Sequence, residues 1–89
     1  MNSVTELARL LTEALERLGI EVQRVHLDEH VSGGGLCTIK GKRMVLLDRH
    51  NSIERDIEAL TEALAGAYTG DGFLPPLVRD WLDKHASSK

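Results

Sequence analysis

The feature that most narrows the fold of this chain is the run Leu36-Cys-Thr-Ile-Lys40, Gly41-Lys42, Arg43-Met-Val-Leu-Leu-Asp48. Two stretches of strand-forming residues flank a glycine turn, the pattern of a β-hairpin. A Gly-X turn at Gly41-Lys42 favours type II′ and pairs Lys40 with Arg43, Ile39 with Met44, and Cys37 with Leu46. Side chains alternate across a strand, so Cys37, Ile39, Met44 and Leu46 share one face. Leu36, Thr38, Val45 and Leu47 share the other. Both faces are apolar, so the hairpin is expected to be covered on two sides or to lie against a partner.

Helical periodicity surrounds the hairpin. Val4, Leu7, Leu10, Leu11, Ala14, Leu15 and Leu18 recur at three- and four-residue spacing and form one apolar stripe. Asn2 or Ser3 caps this helix, Glu13 and Arg17 form a pair on its wet face, and Gly19 suits its end. From Ile20 to Asp28 the period becomes that of a strand. Ile20 and Val22 alternate, then Val25 and Leu27 take the opposite parity, which predicts a bulge near Gln23-Arg24. Asn51 or Ser52 caps a second helix with Ile53, Ile57, Leu60 and Leu64 on its stripe, and Gly66 or Gly70 ends it. Leu74-Pro-Pro-Leu77 opens a third helix, on which Leu77, Val78, Trp81 and Leu82 are apolar. The expected fold is α+β in the order α-β-β-β-α-α, a small three-stranded, mainly antiparallel sheet packed with helices. Residues 1–85 form one domain and 86–89 a polar tail.

Composition removes several function classes. With 89 residues the chain builds one modest core and gains from association. Aromatic residues are 3% of the chain and the net charge is −3, so neither base stacking nor a phosphate-binding face is expected. A nucleic-acid reading would rest on Lys40, Lys42, Arg43 and Arg49. One cysteine, Cys37, excludes an internal disulfide and suits a reducing, cytoplasmic setting. No leader-like or membrane-length apolar run stands in the sequence, so no membrane partner is expected.

The most chemical segment is His26-Leu-Asp28-Glu-His30, whose imidazoles and carboxylate point one way on an extended strand and suit zinc or another divalent ion. Asp48 and His50 stand at the end of another strand, where they could join that set. The bland alternative is a wet strand face entering a loop. Gly33-Gly-Gly-Leu36 lacks the Gly-Lys-Ser/Thr helix start of a phosphate loop and reads as a connector. Cys37 with His26 or His50 as base is a nucleophile candidate, set against a buried, inert thiol. Glu54, Asp56, Glu58 and Glu62 read as a solvated acidic face or a dock for a basic partner. Trp81 reads as a core or interface anchor.

A helix, a three-stranded sheet and a helix soon after the third strand resemble the minimal core of zincin metallopeptidases of the phage-immunity-regulator type. In that family the last helix carries Ala/Leu-His-Glu-Leu-Gly-His, with both histidines on zinc and the glutamate as base. The matching phrase is Leu60-Thr-Glu-Ala-Leu-Ala-Gly66. Glu62 stands at the first histidine, Ala63 at the glutamate and Gly66 at the second histidine, so all three working positions are replaced. The resemblance covers residues 20–68 and implies a degenerate scaffold without zinc or proteolysis. Gly34-Gly-Leu-Cys37 and Pro76-Leu-Val-Arg79 are also similar to phrases in small bacterial proteins, a resemblance that implies no activity.

The reading is a non-catalytic interaction or adaptor protein, without a cofactor, that forms a homodimer or docks on a larger protein. Its expected contact residues are Leu36, Val45 and Leu47, or Leu77 and Trp81. The alternative is a metal-binding protein or metal-dependent hydrolase built on His26, Asp28 and His30, with His50.

Overall fold

A computed structural model describes residues 3–25, 34–68, 70, 72 and 74–87. The elements are α1 (Ser3–Arg17), β1 (Glu21–Val25), β2 (Gly34–Ile39), β3 (Lys42–Asp48), α2 (Ile53–Ala67) and α3 (Pro76–Ser87). The fold is α+β in the order α-β-β-β-α-α. The sheet order is β1-β3-β2, with β3 antiparallel to β2 and parallel to β1. The sheet is therefore mixed.

Local chemistry sets the helix ends. After α1 the Ile20 N–H donates to the Leu15 carbonyl and the Gly19 N–H to the Glu16 carbonyl, both at 3.0 Å. This pair of bonds is a Schellman closure, and it needs a left-handed residue, here Gly19 at φ +81°. On the wet face of α1, Glu13 pairs with Arg9 rather than Arg17, and Arg9 also holds Glu6. The Arg9 hydrogen bond keeps the Glu6 carboxyl below its ordinary pKa, while Glu6 and Glu13 raise that of Arg9. Ser52 caps α2, its hydroxyl accepting from the Arg55 N–H at 3.2 Å. The helix runs through Gly66 and stops at Tyr68, whose backbone is extended.

The hairpin keeps its expected faces but not its expected register. Ile39 pairs with Lys42 and Cys37 with Met44, so the turn is Lys40-Gly41 rather than Gly41-Lys42. Both turn residues have positive φ, +53° at Lys40 and +79° at Gly41, as a type I′ turn requires. The shift moves each partner by two positions, an even number, so each side chain stays on its expected face. Lysine is not suited to this conformation. Lys40→Asn is expected to raise stability by about 0.5–1 kcal/mol, read as a higher urea midpoint at constant slope.

β1 has no bulge. Its register to β3 is continuous from Glu21 opposite Met44 to Val25 opposite Asp48. Ile20, Val22 and Arg24 follow one parity. The apparent change of period arises because a charged residue, Arg24, occupies an inward position. Its guanidinium reaches the carboxylate of Asp56 on α2 at 2.7 Å.

The core lies on one side of the sheet. Leu7, Leu11, Ala14 and Leu15 of α1 meet Ile57, Leu60, Ala63 and Leu64 of α2 above Val45 and Leu47, and Leu74 and Val78 close the end. α3 packs against both α1 and α2. Among the described residues, no element packs on the opposite face of the sheet.

Candidate interaction surface

The face opposite the helices follows from the two registers. Val25 of β1, Cys37 and Ile39 of β2, and Met44 and Leu46 of β3 share the parity opposite to Val45 and Leu47. None of the five belongs to the buried core. Cys37, Met44 and Leu46 are half-buried, and Ile39 is 43% exposed. Cys37 is thus less enclosed than the buried cysteine expected from its apolar neighbours.

The expected contact residues divide between core and surface. Val45 and Leu47 are buried beneath α1 and α2, so they hold the domain together and are not available to a partner. Sequence parity alone did not say which apolar face the helices would take. Leu36 is 42% exposed even though it shares the helix-facing side, because β2 lies at the sheet edge. Leu77 and Trp81 are exposed one turn apart on α3. Trp81 is an anchor with one fixed end. Its indole N–H donates to the Thr61 hydroxyl at 2.7 Å, and that hydroxyl donates to the Ile57 carbonyl at 2.6 Å.

The two sheet edges differ in chemistry. β1 carries Glu21, Gln23 and Arg24, with Glu21 facing Lys42 at 3.6 Å. Charges on an edge strand discourage pairing with another chain. β2, Gly-Gly-Leu-Cys-Thr-Ile, carries no charge and no proline. Among the described residues, β3 is its one strand neighbour. Leu36 and Ile39, two exposed large apolar residues, both sit on this edge strand.

One constellation escaped the sequence reading. Asp56 is not part of a solvated acidic face: it is buried, at 5% exposure, while Glu54, Glu58 and Glu62 are exposed. Its carboxylate accepts from Arg24 at 2.7 Å and from the Asn51 side-chain amide at 3.1 Å. It stands in the first turn of α2, where the helix dipole favours a negative charge. The Arg24–Asp56 pair lines a cleft of about 490 Å³ between α1, β1 and α2, floored by Val22, Leu47 and Leu60.

The other sequence candidates are placed as follows. His26, Asp28 and His30 lie outside the described residues, as does Gly33. His50 is exposed just after β3, and its backbone N–H donates to the Asp48 carboxylate at 3.0 Å. Among the described residues, no three His, Cys, Asp or Glu side chains gather in a way that could hold a metal ion. On α2, Glu62 and Gly66 are exposed and Ala63 is buried. Among the described residues, no helix is long and apolar enough to cross a membrane. Comparisons with protein-family models, with curated proteins and with solved structures find no match to this chain.

Proposed function

We propose that this chain is a non-catalytic interaction protein that associates with a second copy of itself. The observation that carries the reading is the β2 edge, which among the described residues has no strand neighbour beyond β3: an uncharged strand with Leu36 and Ile39 exposed, in a sheet whose other edge is charged. Apolar side chains beside unpaired backbone groups are a template for another strand. The size of the chain adds to the argument. A domain of 89 residues builds a modest core, and association removes further apolar surface from water. No complete catalytic motif stands in the sequence, which is why an interaction role is preferred to an enzymatic one.

The test is native mass by light scattering across a dilution series. The expected result is twice the 9.8 kDa chain mass at high concentration, falling toward one chain mass on dilution. One chain mass at every concentration would remove the reading.

A further inference from the structure

We propose that two copies join through β2 by antiparallel pairing across a twofold axis at Leu36, merging two three-stranded sheets into one. This rests on the self-association reading above and specifies its geometry.

The hairpin determines which backbone groups are available. Its two-residue turn closes on Ile39 and Lys42, the pair that exchanges both hydrogen bonds in such a turn. Bonded and non-bonded pairs alternate along an antiparallel ladder. Cys37 and Gly35 therefore also direct N–H and C=O toward β3, whereas Gly34, Leu36 and Thr38 direct theirs to the opposite edge, where no strand pairs among the described residues. On the far side of β3 the same alternation sends the Arg49 N–H to the Val25 carbonyl of β1 at 2.8 Å.

Three outward residues spaced by two, centred on Leu36, are self-complementary. A twofold axis at Leu36 sets Leu36 opposite Leu36 of the partner subunit and Gly34 opposite Thr38 of the partner subunit. All three outward pairs are then satisfied, with about six backbone hydrogen bonds. Facing residues in a ladder share one side of the sheet, and this register keeps them so, with Leu36 on the helix side in both copies. The half-exposed leucines meet across the axis and exclude water from each other.

A second copy suits the edge better than a charged strand. β2 carries no charge, so self-pairing places no like charges opposite one another, although each chain has a net charge of −3. Pairing through β1 would place the charged residues Glu21 and Arg24 in the interface and would disturb the Arg24–Asp56 pair.

The experiment compares native masses of the wild type, Thr38→Pro and Leu46→Lys, with circular dichroism confirming the fold of each. The Thr38 N–H points away from β3, so proline there removes an edge donor without breaking the hairpin ladder. Dimerisation is expected to weaken by about 30-fold or more, because the axis doubles each lost bond. Leu46→Lys changes the face opposite the helices and leaves the edge intact, so it is expected to remain dimeric. Dimers in all three proteins would overturn the edge pairing while leaving self-association standing. A monomeric wild type would overturn both. If Thr38→Pro fails to fold, Leu36→Lys decides in its place: a folded monomer supports the pairing and a folded dimer overturns it.

Discussion

Leu64→Ala is expected to lower the free energy of unfolding by about 2–5 kcal/mol. Leu64 is fully buried on α2, the helix that packs against α1, α3 and both strands of the hairpin. Removing its side chain loses transfer free energy and leaves a cavity that several elements would have to move together to close. The whole stability of a domain is roughly 5–15 kcal/mol, so this one change removes a large share of it. The control is Glu58→Ala on the exposed face of the same helix, expected to stay within about 0.5 kcal/mol. Urea titration followed by circular dichroism gives both values. Equal midpoints for the two variants would mean that α2 does not present Leu64 to the core.

Arg24→Ala is expected to destabilise the fold by about 1–3 kcal/mol. The cost comes from what remains. Asp56 has a side-chain exposure of 8%, and without Arg24 its carboxylate keeps the Asn51 amide and the α2 dipole as partial compensation. Arg24 itself is 49% exposed, so the attraction is partly screened by water and the estimate stays below that for a fully buried pair. The informative comparison is a double-mutant cycle. Arg24→Ala combined with Asp56→Ala is expected to be less destabilised than Arg24→Ala alone, because the buried charge has gone. A double variant whose loss equals the sum of the two single losses would show that the pair is not coupled.

The parts of the fold legible in the sequence are those with local causes. The α1 stripe, the Ser52 cap, the proline start of α3 and the two hairpin faces follow from spacing and from residues a few positions apart. The turn was misread because Lys40-Gly41 and Gly41-Lys42 both offer a glycine, and a shift by two preserves every face. The supposed bulge in β1 was Arg24 turned toward a carboxylate 32 positions away, a partner that periodicity cannot reveal. Long-range packing likewise decided the candidate surface. Val45–Leu47 and Met44–Leu46 are equally apolar pairs, and the helices cover the first. The chemistry of the β2 edge was readable from its neutral composition, but its place at the edge was not.

The position of β3 has a consequence for how this chain is made. β3 is the middle strand in space and the last of the three in sequence. A ribosome builds from the amino terminus, so α1 and β1 emerge before the strand on which β1 will be laid exists. β1 has no register partner on β3 until Met44 has been added, and its pairing is complete only with Asp48. Of the three strands, the one synthesised first therefore waits longest for its sheet contacts. Its charged residues, Glu21 and Arg24, keep that waiting strand hydrated and poorly suited to pairing with a nascent neighbour.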